Sequence, residues 1–313
     1  MVTQYIFVNS APLVLDQDAE SADRPHWIHA VNPSPEECLR IAAAQSIPLE
    51  YLQATQDSSE RPRLEHTDNC LLIITRASLP GPPDSEVLFT TAPVAAILTP
   101  RTAVTVCGRE NLVESLLSAG LKGSGDRPAL RLILTLLFRS STRYIETLHH
   151  LDALMTSIEQ TLHKSMQNSE LVHMLRIEKS LIYFLTALKD NHAVLEKLRL
   201  FPHIRLTPDE RDFLDDVLIE NRQASDMAEV FIQVIGSVSD AFGAIVSNNL
   251  NKVMKLLTGL TLLFMIPTTV AAIYGMNVIL PFQENPGAFA FICLFCAGLS
   301  GLLSWLFWKK HWL

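Results

Sequence analysis

The run LLTGLTLLFMIPTTVAAIYGMN occupies residues 256–277 and contains no charged side chain. A second apolar run, residues 288–308, follows a short segment whose Glu284 is the only charged residue from the start of the first run to the end of the second. Each run has about 20 residues, which at about 1.5 Å of rise per residue matches a hydrocarbon core about 30 Å thick. The sequence therefore predicts two transmembrane helices, at 256–276 and 288–308.

Basic residues flank the two predicted spans on one side only. Lys252 and Lys255 precede the first span, Lys309 and Lys310 begin a basic tail (309–313) after the second, and the connecting segment has neither Lys nor Arg. The positive-inside rule then places both termini in the cytoplasm and the loop 277–287 outside, in a multi-pass protein of the plasma (inner) membrane. The first ten residues lack the basic and apolar pattern of a cleaved signal, so we expect the spans themselves to direct insertion.

The composition narrows the possible partners. The chain has 313 residues and a formal net charge of −8, almost all of it outside the spans. An acidic surface attracts cations and argues against nucleic acid as a partner. Of the cysteines, Cys293 and Cys296 lie within the second span, where we interpret them as small packing residues and not as a metal or redox pair.

Residues 1–125 are predicted to form a cytoplasmic α/β domain. Ser34-Pro35-Glu36-Glu37 is a helix start with a capping acid, and Arg109–Ala119 reads as another helix. The Pro- and Gly-rich segment Leu79–Asp84 is a predicted loop, and the cluster Gly120–Pro128 ends the domain. Apolar or alternating segments predict five strands, at Tyr5–Val8, Trp27–Val31, Cys70–Arg76, Val94–Leu98 and Ala103–Cys107.

Long helices are predicted after this domain. Residues 126–206 have helical apolar spacing and form a cytoplasmic hairpin hinged near Gln167–Ser169. Thr207-Pro208-Asp209-Glu210 is a strong helix start, and a single helix Pro208–Tyr274 would be about 100 Å long, with residues 207–255 as its cytoplasmic stalk. The predicted fold class is thus an α+β cytoplasmic domain followed by long stalk helices and two C-terminal transmembrane helices.

The first span and the end of the stalk carry polar residues at helical spacing. Two helices enclose no aqueous path, so these residues are expected to face other copies of the chain, as belts lining a pore. The alternative is that Thr258, Thr261, Thr268 and Thr269 bond the backbone carbonyl one turn earlier, as threonines in membrane helices do. The predicted stripe contains Asn251, Met254, Leu257, Thr258, Thr261, Met265, Thr268 and Ala272, with Asn277 at its mouth.

These residues also carry a resemblance to a known family. Asn251-x-x-Met254-Lys255-x-Leu257-Thr258, Pro267, Tyr274-Gly275-Met276-Asn277 and the terminal Lys309-Lys310-His311-Trp312-Leu313 resemble the CorA family of magnesium channels. The resemblance implies a funnel-shaped homopentamer that passes Mg²⁺ passively, with Co²⁺ or Ni²⁺ as further ions. Mg²⁺ would be both the transported and the regulatory ion, without an organic cofactor.

The resemblance also implies roles for individual residues. Gly275, Met276 and Asn277 would form the selectivity filter, Thr268 and Asn251 further polar rings, and Met254, Leu257 and Met265 the apolar constriction. The regulatory aspartate would fall on Asp216, with Glu220 near it and with Asp84, Asp68 or Asp57 as the partner. Asp212 is interpreted as a solvated acid in the first turns of the helix.

The sequence shows one departure from the family pattern and leaves two alternative functions open. The position two after Asn277 is Ile279 and not an acid, which leaves Glu284 alone to attract cations to the outer mouth. A zinc transporter resembling the ZntB group, possibly proton-coupled, and a membrane-tethered sensor without transport activity are the alternatives. An enzyme is not favoured, because the sequence has no Gly-rich phosphate loop and its histidines lack metal-site spacing.

Overall fold

The computed structural model describes residues 2–8, 11–14, 26–82, 85–110, 112–117, 127–162, 168–278 and 287–310. Asp84, Glu284, Ile279 and the terminal residues 311–313 lie outside these ranges, as do Gln167 of the predicted hinge and most of the cluster Gly120–Pro128. The chain divides into two compact units, Met1–Gly236 and Ser237–Leu313, and each is described by itself.

The first unit is built on a mixed sheet. Its order is β2-β1-β3-β7-β6-β5-β4, with β3 and β7 parallel and the other neighbours antiparallel. The strands in the described residues are β1 (Val2–Val8), β2 (Ala11–Val14), β3 (His26–Val31), β4 (Arg63–His66), β5 (Leu71–Pro80), β6 (Phe89–Leu98) and β7 (Thr102–Cys107).

All five predicted strands are present, but the sheet contains two more. Both additional strands, β2 and β4, are four residues long and lie at the two edges of the sheet. β2 contains Pro12, which is tolerated at an edge because its missing N–H faces no further strand. β4 is the mostly polar stretch Arg63-Leu-Glu-His66, which does not by itself favour a strand. Its pairing with β5 stabilises the extended conformation.

Helices cover both faces of the sheet. One apolar cluster joins the sheet to α1 (Pro35–Gln45) and α2 (Leu49–Gln53), which a short 3₁₀ helix at Ala54–Gln56 follows. The other cluster joins it to α3 (Leu112–Leu117), α4 (Pro128–Leu162), α5 (Asn168–Arg199) and the first turns of α6 (Pro208–Tyr274). Successive residues of β5 alternate between the two clusters, which explains its continuous apolar run.

The predicted helix starts are confirmed by their hydrogen bonds. At α1 the Glu37 backbone N–H donates to Ser34 Oγ at 3.2 Å, and the Ser34 N–H donates to Glu37 Oε2 at 2.8 Å. At α6 the Thr207 N–H donates to Glu210 Oε2 at 2.9 Å and the Glu210 N–H to Thr207 Oγ1 at 3.3 Å. These reciprocal bonds satisfy N–H groups that a helix start leaves without partners.

The long helices follow the predicted plan. α4 and α5 are the two helices expected after residue 128, and α6 begins and ends at the predicted residues, Pro208 and Tyr274. The helix expected at Arg109–Ala119 is shorter, because Arg109 and Glu110 belong to the turn after β7. α7 (Ala288–Lys309) belongs to the second unit, together with the part of α6 that starts at Ser237.

Candidate pore helix and acidic stalk residues

The contact between α6 and α7 defines one side of the first predicted span. A Cβ atom added to Gly259 would lie 3.5 Å from Phe307 Cδ2, an ordinary van der Waals distance, so Phe307 of α7 packs over this position of α6. Gly259 is buried, and Leu263, Ile266 and Val270 are half-buried at the three- and four-residue spacing of one helix face. This face of α6 packs on α7.

The predicted polar stripe lies on the other side of α6. At about 100° per residue its members fall within an arc of about 120°, roughly opposite Gly259. Every one of these side chains is exposed in the single chain: Asn251, Met254, Leu257, Thr258, Thr261, Met265, Thr268 and Ala272. The stripe is therefore left uncovered by α7, whereas its role as a pore lining stays a prediction.

Two threonines of the stripe form the hydrogen bonds to backbone carbonyls that the alternative interpretation predicted. Thr261 Oγ1 donates to the Leu257 carbonyl at 2.8 Å, and Thr268 Oγ1 donates to the Phe264 carbonyl at 2.7 Å. Each hydroxyl has used its hydrogen in this bond, and its oxygen keeps lone pairs that accept. On an exposed face such an oxygen is a hydrogen-bond acceptor for water, so the backbone bond and a polar lining are compatible.

The helix ends in the predicted Gly-Met-Asn segment. The Gly275 N–H donates to the Ala271 carbonyl at 2.9 Å and the Met276 N–H to the Ile273 carbonyl at 3.2 Å, which closes the last turn. A Cβ atom at Gly275 would lie only 3.2 Å from the Ala271 oxygen, so this position favours glycine. Asn277 follows the turn and is exposed.

Both C-terminal helices are long and apolar enough to cross a membrane. In each, only 6% of the most apolar stretch is buried within the chain, unlike the core helix of a soluble protein. In α7 Cys293 is exposed and Cys296 half-buried. Among the described residues no group of three or more His, Cys, Asp or Glu side chains is placed to hold a metal ion.

The acidic residues of the α6 stalk differ in their surroundings. Asp212 and Asp216 are exposed and Glu220 is half-buried, all three at four-residue spacing on one face. Asp215 lies off this face, and its Oδ1 is 2.8 Å from Arg199 Nε. A salt bridge to α5 thus occupies Asp215, whereas the face with Asp216 is open to solvent.

Of the three proposed partners of Asp216, two lie among the described residues. Asp68 is exposed in the turn between β4 and β5. Asp57 is exposed too, and its Oδ1 accepts a hydrogen bond from the Ser59 N–H at 2.8 Å. Asp84 lies outside the described residues, so the regulatory assignment of Asp216, Glu220 and Asp84 stays a prediction.

Sequence reasoning missed a charge pair at the start of α6. Arg127 donates from Nε to Glu210 Oε1 at 3.1 Å and from Nη2 to Glu210 Oε2 at 2.9 Å. Glu210 was predicted only as the capping acid, and no local pattern links it to a residue 83 positions earlier. The pair ties the start of α4 to the start of α6. Gly259 was also missed, although a glycine inside an apolar helix is a signal of close packing.

Comparison with known proteins places this architecture in a family. The family described as CorA-like Mg²⁺ transporter protein matches residues 23–310. The cobalt/magnesium transport protein CorA of Methanocaldococcus jannaschii is 24% identical over 315 residues, which cover 96% of this chain and 95% of that protein.

Solved structures share the fold. The complete structure of the CorA magnesium transporter from M. jannaschii matches with a TM-score of 0.85 at 22% identity, covering 100% of this chain and 99% of that one. Full-length CmaX matches at 0.76 and 16% identity, over 99% and 97% of the two chains. The ZntB cytoplasmic domain from Vibrio parahaemolyticus matches at 0.62 and 10% identity, over 79% and 98%.

The family match covers strands β3 to β7, the long helices and both apolar helices. The Gly-Met-Asn segment and the uncovered stripe of α6 lie inside the matched range. The chain belongs to the CorA family of divalent-cation transport proteins and has two C-terminal helices suited to a membrane.

Proposed function

We propose that the chain assembles as a homopentameric channel in which α6 from five copies lines the pore for Mg²⁺. The observation that carries this proposal is the stripe of α6 that α7 leaves uncovered. Polar groups facing lipid are costly, and the described residues of one copy contain just two candidate spans with which to shield them. Packing of stripe against stripe around an axis removes these groups from lipid and encloses a path for water and ions.

The proposed filter is a ring of Asn277 side chains with Gly275 and Met276 behind it. Mg²⁺ releases its water reluctantly, so a site for the hydrated ion needs acceptors for the hydrogens of that water. Asn277 is exposed directly after the last turn of α6, where carboxamide oxygens provide such acceptors. A ring of carboxylates would hold the ion longer and slow its passage.

The rest of the stripe supplies alternating polar and apolar belts. Thr268 and Thr261 present hydroxyl oxygens whose hydrogens are already bonded to the backbone, which leaves them as acceptors. Asn251 would form a further polar ring near the cytoplasmic end. Met254, Leu257 and Met265 are exposed apolar residues suited to a constriction that closes by excluding water.

Gating is proposed to use Mg²⁺ bound between neighbouring copies at Asp216, with Glu220 beside it and Asp84 as a candidate partner. Asp212 and Asp216 are exposed and Glu220 is half-buried on one acidic face, and carboxylates at an interface repel each other without a cation. Bound Mg²⁺ would hold the closed state. Loss of the ion would separate the interface and open the pore.

The proposed orientation keeps both termini in the cytoplasm, with Lys252, Lys255 and Lys309 on that side of the membrane. Glu284 in the external loop would attract cations. The membrane potential then drives entry, since a divalent ion gains about 4.6 kcal/mol per 100 mV.

Ion flux into liposomes tests this function. Vesicles loaded with a Mg²⁺-sensitive dye are exposed to Mg²⁺, Co²⁺, Ni²⁺ and Zn²⁺, with and without a pH gradient. Mg²⁺ entry that ignores the pH gradient supports the channel. Zn²⁺ entry that follows the pH gradient would instead indicate a proton-coupled zinc transporter. Absence of flux for every ion in an assembled oligomer would indicate a sensor without transport activity.

A further inference from the structure

A cleft in the first unit lies at the end of the sheet where the turn between β4 and β5 meets the turn between β6 and β7. It has a volume of about 440 Å³ and is completed by the start of α4 and by residues 201–205, which connect α5 to α6. Backbone bonds close both turns, from the Thr67 N–H to the Cys70 carbonyl and from the Thr99 N–H to the Thr102 carbonyl, each at 2.9 Å. The cleft is therefore built from fixed elements.

The charge of the cleft is opposite to that of the chain. Its lining contains Arg101, Arg127 and Arg205 but only one acid, Asp68, whereas the whole chain carries a net charge of −8. Arg127 is held by Glu210, and its Nη1 also donates to the Arg205 carbonyl at 3.1 Å. Arg101 and Arg205 are exposed where they line the cleft. Guanidinium groups in such a position favour phosphate, which they bind through paired hydrogen bonds.

Three rings form a wall of the same cleft. The His66 and His203 rings stack with centroids 4.6 Å apart and an interplanar angle of 15°. Phe201 contacts both, with centroid distances of 5.3 Å to His66 and 5.4 Å to His203. The Phe201 ring is inclined at 63° to His66 and 52° to His203, so the flat surface is that of the stacked imidazoles. Such a stack beside arginines is suited to a ligand that combines an aromatic base with a phosphate.

A cation is a poor fit for this cleft. Stacked, nearly parallel imidazoles direct their nitrogen lone pairs along separate planes, whereas a metal ion needs lone pairs that converge on one point. The arginines would also repel a divalent ion. The histidines here consequently indicate a stacking surface and not the regulatory Mg²⁺ site.

We propose that this cleft is a binding site for a nucleoside monophosphate, with its phosphate at Arg101 and Arg205 and its base against the His66–His203–Phe201 wall. The volume lies within the range of small-molecule sites, about 300–1,000 Å³. Its lining shares no residue with the predicted stripe or filter, and the site goes beyond the proposed transport function. Its position next to the start of α6 means that the ligand would contact the segment leading into the stalk.

Calorimetric titration of the full chain in detergent tests the site. EDTA is present throughout, so that binding does not depend on Mg²⁺, and the probes are AMP, adenosine and inorganic phosphate. We expect AMP to bind with a Kd between about 10 μM and 1 mM, and the two fragments to bind at least about tenfold more weakly. Absence of AMP binding at about 1 mM would overturn the proposal. Equal affinity for AMP and phosphate would overturn the nucleoside part.

Matched arginine variants locate the binding. Arg205→Ala removes an exposed charge from the cleft, and Arg222→Ala removes an equally exposed charge from α6 outside it. We expect the first to weaken AMP binding about tenfold and the second to leave it unchanged. His203→Ala is expected to weaken AMP but not phosphate. Unchanged AMP affinity in the double variant Arg101→Ala/Arg205→Ala would place the ligand elsewhere and overturn the assignment.

Discussion

The side chain of Asn191 forms hydrogen bonds with both the backbone N–H and the backbone carbonyl of Arg76. Its Oδ1 accepts from the Arg76 N–H at 2.8 Å, and its Nδ2 donates to the Arg76 carbonyl at 2.8 Å. Arg76 lies opposite Pro93 in the pairing of β5 with β6, and proline has no N–H to offer. The Tyr144 hydroxyl also donates to this carbonyl, at 3.0 Å, and burial raises the pKa of Tyr144 far above its ordinary value, so the group remains a donor. Two helices thus complete the hydrogen bonding of a strand.

Replacement of Asn191 is expected to destabilise the first unit. Asn191→Leu keeps the size of the side chain but leaves the part-buried Arg76 N–H without its partner, at a cost of about 1–3 kcal/mol. Thermal unfolding of the detergent-solubilised protein measures this loss, with Lys189→Ala, an exposed change on the same helix, as the control. A melting temperature equal to that of the control would show that Asn191 is dispensable.

Asn277→Ala is expected to abolish selective Mg²⁺ permeation and to leave assembly intact. The residue lies beyond the last turn of α6 and is exposed, so its loss removes acceptors for hydrated Mg²⁺ without disturbing helix packing. Liposome flux with Mg²⁺ and a monovalent cation measures selectivity, and Val278→Ala is the neighbouring control. Retained Mg²⁺ selectivity in Asn277→Ala would refute the filter.

The role of the Thr268 hydroxyl is tested by two substitutions, one that removes the hydroxyl and one that keeps it. Thr268→Val keeps the shape and removes the oxygen, whereas Thr268→Ser keeps the oxygen. If the oxygens accept from the hydration shell, each lost bond of about 0.5–1.5 kcal/mol, repeated around a ring, should lower Mg²⁺ flux at least about tenfold in Thr268→Val only. Equal flux in both variants would mean that the bond to the Phe264 carbonyl is the whole role of this hydroxyl.

Asp216→Ala is expected to weaken closure by cytoplasmic Mg²⁺. Removal of one carboxylate from the regulatory site should raise the half-inhibiting Mg²⁺ concentration about 3- to 10-fold, which corresponds to about 0.7–1.4 kcal/mol of binding free energy. Asp212→Ala, one turn earlier and also exposed, is the control for a general change in surface charge. Coinciding inhibition curves for the two variants and the unmodified chain would reassign Asp216 to a solvated face.

His29 predicts a pH dependence of stability. It is 1% exposed, and burial lowers its pKa from 6.5 to about 4. Its Nδ1 lies 2.8 Å from Thr105 Oγ1, which also accepts from Trp27 Nε1 at 2.9 Å. Between pH 6.5 and 4 the unfolded chain binds a proton at this residue that the folded chain does not bind. The free energy of unfolding therefore falls as the pH falls through this window, by up to about 3 kcal/mol.

The variant His29→Gln isolates this contribution because glutamine does not titrate. Between pH 7 and pH 5 the unmodified chain should lose about 2 kcal/mol more stability than the variant, seen as a larger drop in melting temperature. Parallel drops in both proteins would show that the carboxylates, and not His29, determine the acid sensitivity.

The local pattern of the sequence was enough to predict the long helices and the central strands. The capping acid Glu210 marks the start of α6, and the Gly275 turn marks its end. Both ends are predictable from sequence because caps and apolar periodicity depend on residues within one or two turns of each other. The polar stripe was likewise readable from its spacing. Residues adjacent along a helix need no tertiary contact to share a face.

Tertiary structure alone decided which surfaces meet. The Asn191–Arg76 bonds, the Arg127–Glu210 pair and the His66–His203 wall join residues distant in sequence, for which local propensity carries no signal. The contact of Gly259 with Phe307 likewise determines which face of α6 is covered. Apolar periodicity in a membrane helix does not separate a lipid face from a packing face, because both are apolar, so only the observed packing shows which face of α6 is covered by α7.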